Sequence, residues 1–394
     1  MMISMHNIAF VDDESDILDG LRRALRHNRK TWNIYFYESG RELLEANKSI
    51  KFDVVISDMR MPSMDGCKVL AAIKIVSPQT LRIVLSGYIN NEVILESLHM
   101  THQFLAKPAD SKKLICSIER ALYLRDLISD DSIKETLGAL ESLPVLPAIY
   151  DELMAEISTG DGSISRIAKI INSDLALSSN ILKIVNSAFF GTVRHIESPL
   201  QAATILGIET IKNIALSTSI LRTFSSDKKT LVKMTQINTR SQQLGLLIGK
   251  MTRNSNFLTD REKDHAQIAG MMVYIGELFS LCYRNTLSIS NEGLSKTPFL
   301  GGCLLAYWGM PYPVIEAVRW FRCPEESNFD GATPLTLVHA AWSMSESCVD
   351  NGKVNWDHKQ INKEYLASVV AEETLNQWVT IIENNLNSRN KTDD

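Results

Sequence analysis

A short apolar run that ends in an aspartate is the feature that most constrains the fold of this chain. Residues Val54 to Ile56 are β-branched and lead to Asp58, and the turn-forming pairs Met61-Pro62 and Asp65-Gly66 follow. A run this short, bounded by turn residues, is typical of a strand buried on both faces of a parallel sheet. Asp58 is therefore expected at the carboxyl end of a central strand, where open α/β sheets bind their ligands.

Four further apolar runs alternate with helical patterns over the first 125 residues. Three of them end in residues that suit phosphate chemistry: the acid pair Asp12-Asp13, the hydroxyl of Ser86 and the ammonium of Lys107. The fourth, which begins at Trp32, carries no such group. Alternating strands and helices form a parallel sheet covered on both faces. We therefore predict a five-stranded, doubly wound parallel sheet of the flavodoxin-like type.

These strand-end residues suit phosphoryl transfer to a carboxylate. Asp58 is the candidate nucleophile, because carboxylates form acyl phosphates. The adjacent acids and Asp58 offer oxygen ligands of the kind that Mg²⁺ prefers. Lys107 supplies a positive charge to phosphoryl oxygens and Ser86 a hydroxyl, and such positioning provides most of the catalysis. Each residue alone is more typical of a helix cap or a turn, so the prediction depends on all four in this order.

From about Asn7 to about Leu124, this pattern resembles the receiver domain of bacterial two-component response regulators. The shared features are an acid pair, an aspartate in a D-x-x-M-P-x-x-D-G context, a Ser or Thr, and a Lys-Pro. The resemblance implies that Asp58 is the phospho-acceptor. It also implies that Asp13, Asp58 and the backbone carbonyl of Arg60 bind Mg²⁺, with Asp12 acting nearby.

The same resemblance implies a switch made of Ser86 and an aromatic residue three positions before the lysine, which is Phe104 in this chain. One departure from the family pattern is visible. Thr101-His102-Gln103 stands where small residues usually precede the aromatic residue. The shape of this loop is therefore expected to differ from that of other receivers, whereas the chemistry is expected to be retained.

Length and charge indicate what else the chain contains. A chain of 394 residues is long enough for two or three domains. A formal net charge of −5 argues against general attraction to nucleic acid or anionic membrane. The six cysteines are scattered without a C-x-x-C pair, which favours reduced thiols in the cytoplasm. The sequence shows neither a signal peptide nor an apolar stretch of about 20 residues, so we expect a cytoplasmic protein.

The predicted domain organisation has four parts. Residues 1–125 form the receiver, 126–141 a helical connector, 142–380 an all-α output domain and 381–394 a polar, disordered tail. The connector pattern fits either a continuation of the last receiver helix or a separate linker. It is also compatible with a coiled coil between two copies of the chain. The output region shows helical spacing without β alternation.

The output region resembles an HDOD domain, a relative of the HD phosphohydrolases. The resemblance is carried by blocks beginning at Leu143, Ile170 and Ile196, by Leu206-Gly207, and most specifically by Asn-Ser-Ala-Phe-Phe-Gly at residues 186–191. It is strong from about Leu140 to Leu221 and weaker onward to about Glu346. HD hydrolases need histidine and aspartate ligands for a divalent metal, with an adjacent His-Asp dyad at the centre.

The residues of an HD metal centre are missing from the matching positions. No histidine in the chain is followed by an aspartate, and Val273-Tyr274 stands where the dyad is expected. Trp320 to Arg322 replaces paired histidines, and Trp342 replaces a late aspartate. His265 and His339 remain, but an isolated histidine on a helix is more often a surface residue or a satisfied core residue than a metal ligand. We therefore predict an output domain without enzymatic activity and without a cofactor of its own.

Three functions can account for these residues to different extents. The first is a response regulator in which phosphorylation of Asp58 controls a non-catalytic HDOD domain that binds another protein. The alternative is a metal-dependent cyclic-dinucleotide phosphodiesterase of the HD superfamily. The third is a DNA-binding transcription factor, but this sequence shows no basic recognition helix of the kind that such a protein needs. The first predicts a sensor histidine kinase or phosphotransfer protein as donor and a downstream protein partner, with neither DNA nor membrane as a partner.

Overall fold

The structure of the chain is a computed structural model. The described residues are 5–62, 64–86, 100–107, 111–128, 130–140, 143, 147–158, 163–185, 198–207, 211, 228–253, 257–283, 297–328, 331–346, 348–349 and 353–390. Within them, no helix combines the length and the hydropathy needed to cross a bilayer.

The N-terminal part is built on a parallel sheet. Its strands are β1 (His6–Val11), β2 (Trp32–Tyr37), β3 (Val54–Asp58), β4 (Leu81–Ser86) and β5 (Gln103–Ala106). Neighbouring strands pair in parallel in the order β2-β1-β3-β4-β5. Ile8 of β1 and Val54 of β3 are completely buried, as expected for interior strands of a parallel sheet. The predicted parallel sheet is therefore confirmed, and its strands all end at one edge.

Some helices connect these strands, and others follow the last strand in the chain. They are α1 (Ser15–Ala24), α2 (Gly40–Ala46), α3 (Gly66–Val76), α4 (Ser111–Asp126) and α5 (Asp131–Ala139). The Ser39 and Asp65 side chains cap α2 and α3, because each accepts a hydrogen bond from a backbone N–H of the first turn.

The connector contains a helix of its own. After α4 ends, Asp130 caps α5 by accepting the Ser132 N–H, so the last receiver helix does not run on as one rod. Leu137 of α5 is buried, and Gly138 lies so close to the backbone of Pro78 that a Cβ atom would come within 2.2 Å of its carbonyl oxygen. The connector helix is thus packed against the receiver.

The C-terminal part is helical, as predicted. Its helices are α6 (Pro147–Ser158), α7 (Ile164–Asn172), α8 (Leu175–Val185), α9 (Pro199–Leu206), α10 (Lys228–Thr252), α11 (Asp260–Met272), α12 (Ile275–Cys282), α13 (Thr297–Tyr307), α14 (Tyr312–Trp320), α15 (Pro334–Glu346), α16 (Lys363–Val369) and α17 (Glu372–Asn390). Helix α11 packs against α10, α14 and α15. One feature was not predicted, an antiparallel pair of two-residue strands, β6 (Cys348–Val349) and β7 (Lys353–Val354).

The predicted disordered tail is wrong for residues 381–390. Helix α17 continues to Asn390, and both Trp378 and Ile382 are completely buried. Residues four apart lie on the same helix face, so this pair extends one apolar contact face into a segment that is otherwise polar. Residues 391–394 lie outside the described part of the chain.

Candidate functional site

Three charged side chains meet at the carboxyl edge of the sheet. Asp12 follows β1, Asp58 ends β3 and Lys107 follows β5. Lys107 Nζ lies 2.7 Å from Asp12 Oδ2 and 2.6 Å from Asp58 Oδ1. The exposed Glu14 lies at the rim, with its Oε1 3.9 Å from the same nitrogen. The structure thus brings three of the predicted site residues into direct contact.

Burial and charge act in opposite directions on these groups. Asp12 is 2% exposed and Asp58 7%, so both carboxylates are largely removed from water. Desolvation raises the pKa of Asp58, and the hydrogen bond and charge of Lys107 offset only part of this rise. Burial by itself lowers the pKa of Lys107, but its bonds to Asp12 and Asp58 outweigh burial and raise that pKa. The lysine therefore stays protonated between the two acids.

The backbone around Asp58 fixes the direction of its carboxylate. Oδ2 accepts a hydrogen bond of 2.7 Å from the Arg60 N–H, while Oδ1 faces Lys107. The start of α3 packs against this turn, because the Gly66 N–H donates to the Met59 carbonyl at 3.0 Å. A Cβ atom on Gly66 would lie only 1.9 Å from the Asp58 carbonyl oxygen. The Asp65-Gly66 pair is thus a helix cap followed by a residue that must lack a side chain.

The donor set at this edge has the chemistry of a Mg²⁺ site. Asp12, Asp13, Asp58 and the Arg60 carbonyl supply hard oxygen atoms, and Asp13 is exposed beside the two buried acids. One ammonium faces two carboxylates, so these three side chains keep a net negative charge that favours a cation. Across the described residues, no three acid, histidine or cysteine side chains are already gathered in metal-ligating geometry. The ligand types fit Mg²⁺, whereas their convergence on a metal remains a prediction.

The two predicted switch residues are placed only through their backbones. Ser86 is the last residue of β4 and pairs with Ala106 of β5, next to Lys107. Phe104 pairs with Val84 in the same ladder. The side chains of Ser86 and Phe104 lie outside the described part of the structure, so their roles stay predictions.

The positions matched to the HD dyad are buried among non-ligating groups. Val273 and Tyr274 are 3% and 4% exposed. The Arg240 guanidinium stacks on the Tyr274 ring, 4.1 Å from its centroid, and lies 3.4 Å from carboxylate oxygens of both Glu277 and Glu346. Desolvation raises the pKa of Tyr274 to about 12, so the phenol stays neutral beside the arginine. Arg240 was not predicted from the sequence, because no motif marks it.

His339 and its neighbours also pack as core residues. His339 is completely buried, with Nδ1 2.8 Å from the Phe321 carbonyl oxygen and Nε2 accepting the Asn362 N–H at 3.2 Å. Burial lowers its pKa, which keeps the ring neutral with both nitrogens engaged. Trp342 meets Phe321 edge to face, with ring centroids 4.9 Å apart. His265 is buried as well. The block at residues 186–191 lies outside the described residues.

Comparison with protein-family models finds two matches in this chain. The response regulator receiver domain model matches residues 8–119, and the HDOD domain model matches residues 143–324. The first covers the sheet that carries Asp12, Asp58 and Lys107. The second covers the helices from α6 to α14. The chain thus contains a receiver domain followed by an HDOD domain, as the sequence motifs predict.

Individual relatives share parts of the chain. Transcriptional regulatory protein ZraR of Escherichia coli is 28% identical over 196 residues, which are 46% of this chain and 44% of the relative. DNA-binding transcriptional regulator NtrC of Escherichia coli is 34% identical over 113 residues, or 28% of this chain and 24% of NtrC. The chain therefore spans less than half the length of these curated relatives.

A solved structure is similar to part of the chain. It is the signal receiver domain of an HD domain-containing protein from Pseudomonas fluorescens Pf-5. The sequence identity is 29%, the match covers 30% of this chain and 95% of that one, and the TM-score is 0.29.

Proposed function

We propose that this chain, which joins a response regulator receiver domain to an HDOD domain, is a phosphorelay regulator that is phosphorylated on Asp58. The observation that carries the proposal is the contact of Lys107 Nζ with both Asp12 and Asp58 at the carboxyl edge of the sheet. The proposed receiver covers residues 1–125, the connector residues 126–141, and the HDOD domain begins at about residue 142. The proposed phosphoryl donor is a sensor histidine kinase or a phosphotransfer protein.

The chemistry follows from the position of Asp58. A carboxylate oxygen attacks the phosphorus of a phosphohistidine, the P–N bond breaks, and an acyl phosphate forms. The Arg60 N–H, at 2.7 Å from Oδ2, keeps the carboxylate oriented during the attack. Lys107 then moves from the free carboxylate to the new phosphoryl oxygens. Asp12, Asp13, Asp58 and the Arg60 carbonyl would hold Mg²⁺, which would supply positive charge to offset the negative charge of the phosphoryl group.

Mass spectrometry after treatment with acetyl phosphate and Mg²⁺ tests this step. The wild-type chain is expected to gain one phosphoryl group, and Asp58→Asn is expected to gain none. Asp19→Asn is the matched control, because Asp19 is an exposed acid of α1 that pairs with Arg22. Equal phosphorylation of Asp58→Asn and wild type would remove the proposal for Asp58.

We further propose that the HDOD domain acts by binding a protein and not by hydrolysis. Two observations support this: Tyr274 is packed under Arg240, and both ring nitrogens of His339 are engaged within the core. Turnover of a cyclic dinucleotide with Mn²⁺ or Mg²⁺ by the purified chain would contradict it. We also propose a cytoplasmic setting, because five of the cysteines form no disulfide, namely Cys67, Cys116, Cys282, Cys303 and Cys323.

The protein partner can be captured by comparing two states of the receiver. Lysate of the source organism is passed over immobilised wild-type chain with and without beryllofluoride, a stable mimic of the phosphoryl group on Asp58. A protein retained in one state, and retained equally in both conditions by Asp58→Asn, is the expected result. Identical proteins in both states of the wild type would contradict phosphorylation-controlled binding.

A further inference from the structure

The edge of the sheet opposite Asp58 is in contact with the HDOD domain. Gln103 is the first residue of β5, and its side chain is buried. Its Nε2 donates hydrogen bonds to the Ala306 carbonyl at 3.0 Å and to the Tyr307 carbonyl at 3.1 Å. Ser117 Oγ of α4 donates to Gln103 Oε1 at 2.5 Å, which directs the amide nitrogen toward those carbonyls. One receiver side chain thus binds the end of α13.

The end of α13 presents carbonyls that require donors. The last carbonyls of a helix have no partner within the helix. Gly309, with φ of 67°, turns the chain so that its N–H donates to the Ala306 carbonyl at 3.0 Å. Gln103 adds a second donor there and supplies one to Tyr307. A Cβ atom on Gly309 would lie 3.1 Å from Gln103 Cδ, so the turn leaves little more space than the amide occupies.

The residues beside Gln103 hold the connector in the same way. Arg82 Nη2 of β4 donates to the Gly138 carbonyl at 2.7 Å. His102 Nδ1 accepts the Arg82 backbone N–H at 3.0 Å, so its Nε2 carries the proton and donates to the same Gly138 carbonyl at 2.8 Å. The His102 ring also meets the Tyr307 ring edge to face at 5.1 Å. Residues at the starts of β4 and β5 therefore contact both the connector helix α5 and the end of α13.

We propose that Arg82, His102 and Gln103 form a docking site for the connector and for the end of α13 of the same chain, and that phosphorylation of Asp58 weakens this docking. His102 and Gln103 belong to the Thr101-His102-Gln103 segment in which this chain departs from the receiver pattern. Side chains longer than the usual small residues are needed there to reach backbone carbonyls of the neighbouring domain. The coupling half of the proposal rests on the proposed phosphorylation, whereas the docking half does not.

The strand β5 connects the docking site to the phosphorylation site. Gln103 begins the strand and Lys107 follows its end, about 13 Å away at the usual rise of a strand. Lys107 Nζ now lies 2.6 Å from Asp58 Oδ1. In the proposed coupling, a phosphoryl group on this carboxylate displaces the ammonium, and this displacement shifts the end of the four-residue strand. β4 has the same layout, with Arg82 near its start and Ser86 at its end.

Hydrogen exchange on the full chain tests the docking half. Gln103→Ala removes both donors and Gln103→Glu directs a carboxylate at two carbonyls. The docking equilibrium constant is expected to fall roughly 25-fold in Gln103→Ala, since each of the two lost hydrogen bonds contributes about a factor of five. It is expected to fall further in Gln103→Glu. Faster exchange at the α13 end and a larger radius of gyration in X-ray scattering are expected, with Gln236→Glu, an exposed glutamine of α10, as control. Unchanged exchange and radius in both Gln103 variants would overturn the docking site.

Beryllofluoride binding tests the coupling half. Coupling between two equilibria is reciprocal, so a variant that cannot dock should bind the mimic more tightly if the mimic opposes docking. Gln103→Glu is expected to bind beryllofluoride several-fold more tightly than wild type, and the mimic is expected to speed exchange at the α13 end of wild type only. Equal affinity for wild type and Gln103→Glu would overturn the coupling while leaving Asp58 phosphorylation intact. Failure of acetyl phosphate to modify Asp58 would instead remove the proposed function and leave the docking result standing.

Discussion

At the residue scale, Lys107 separates two buried acids that would otherwise repel each other. Its Nζ lies within 2.7 Å of oxygens of both Asp12 and Asp58. Removing one partner from a buried ion pair costs more than the pair contributes, because the remaining charge is left desolvated. Lys107 is therefore expected to stabilise the receiver as well as to take part in phosphorylation.

Lys107→Met is predicted to lower the free energy of unfolding by about 3 kcal/mol at neutral pH. The loss should shrink as the pH falls. In the folded chain the pKa of Asp58 is already raised, and a carboxyl of this kind favours folding most when it is protonated. Urea unfolding at pH 5 and pH 8 would measure the difference. Lys68→Met is the control, since Lys68 is exposed and pairs with Asp65 on the surface. A loss independent of pH would contradict the electrostatic explanation.

At the element scale, the start of α3 and the end of β3 require close contact. Gly66→Ala would place a methyl group 1.9 Å from the Asp58 carbonyl oxygen. The variant is predicted to lose about 2 kcal/mol of stability, as overpacked positions do. It should also be phosphorylated more slowly by acetyl phosphate, because the turn that orients Asp58 must shift. Urea unfolding and intact mass spectrometry would measure both effects.

Gly20→Ala is the matched control for this substitution. Gly20 lies within α1, and a Cβ atom there would meet nothing within 4 Å. Alanine is favoured over glycine in helix interiors by roughly 0.5 to 1 kcal/mol, so this variant should be slightly more stable than wild type. Equal effects at both positions would show that the contact with Asp58 is not the cause.

A histidine links three elements at the other edge of the sheet. His6 Nε2 of β1 lies 3.0 Å from Asp126 Oδ2 at the end of α4, and its Nδ1 lies 3.8 Å from Asp53 Oδ2 before β3. The hydrogen bond with Asp126, supported by Asp53, raises the pKa of His6 to about 9. A raised histidine pKa stabilises the fold below the unfolded pKa of about 6.5, and this stabilisation is lost as the pH rises toward the folded value.

The wild-type free energy of unfolding is predicted to fall by on the order of 2 kcal/mol between pH 6.5 and pH 9, after allowance for partial solvent screening. His6→Gln should lose this part of the pH dependence. Unfolding curves across this pH range would measure it, with His27→Gln at an exposed position of the receiver as control. A pH profile shared by wild type and His6→Gln would exclude this network as the source.

The elements differ in how well the sequence predicts them. The β-branched run before Asp58 and the stripe Leu18 and Leu21 of α1 determine local structure directly, because buried faces impose a period. Helix α17 continues to Asn390 because Trp378 and Ile382 are buried against other parts of the chain. The polar residues around them in the sequence do not indicate this burial. The two-residue strands β6 and β7 are too short to show an alternation of apolar and polar residues in the sequence. The ends of β1, β3 and β5 were predictable because an apolar run stops there at a charged residue, namely Asp12, Asp58 and Lys107.

At the scale of the whole molecule, the contact between the domains has no local signature. Gln103 and Ala306 are 203 positions apart, and the carbonyls that Gln103 binds belong to a backbone that any sequence provides. The unusual Thr101-His102-Gln103 segment predicted a different loop shape and not a contact with another domain. The same contact buries Tyr307 of α13 to 1% exposure against His102, so the stability of the two domains should be linked there.

Tyr307 allows the linkage to be measured, because its ring and its hydroxyl have opposite effects. The hydroxyl is buried and has no hydrogen-bond partner among the described residues, which makes the group unfavourable in the folded state. Tyr307→Phe is therefore predicted to raise the free energy of unfolding by about 1 kcal/mol and to slow hydrogen exchange at the end of α13. Tyr307→Ala should lower it by about 3 kcal/mol and speed exchange, because the ring is lost from the contact. Tyr123→Phe, at a position 61% exposed, should change neither quantity. Destabilisation by Tyr307→Phe would show that the hydroxyl is satisfied and that the docked domains depend on it.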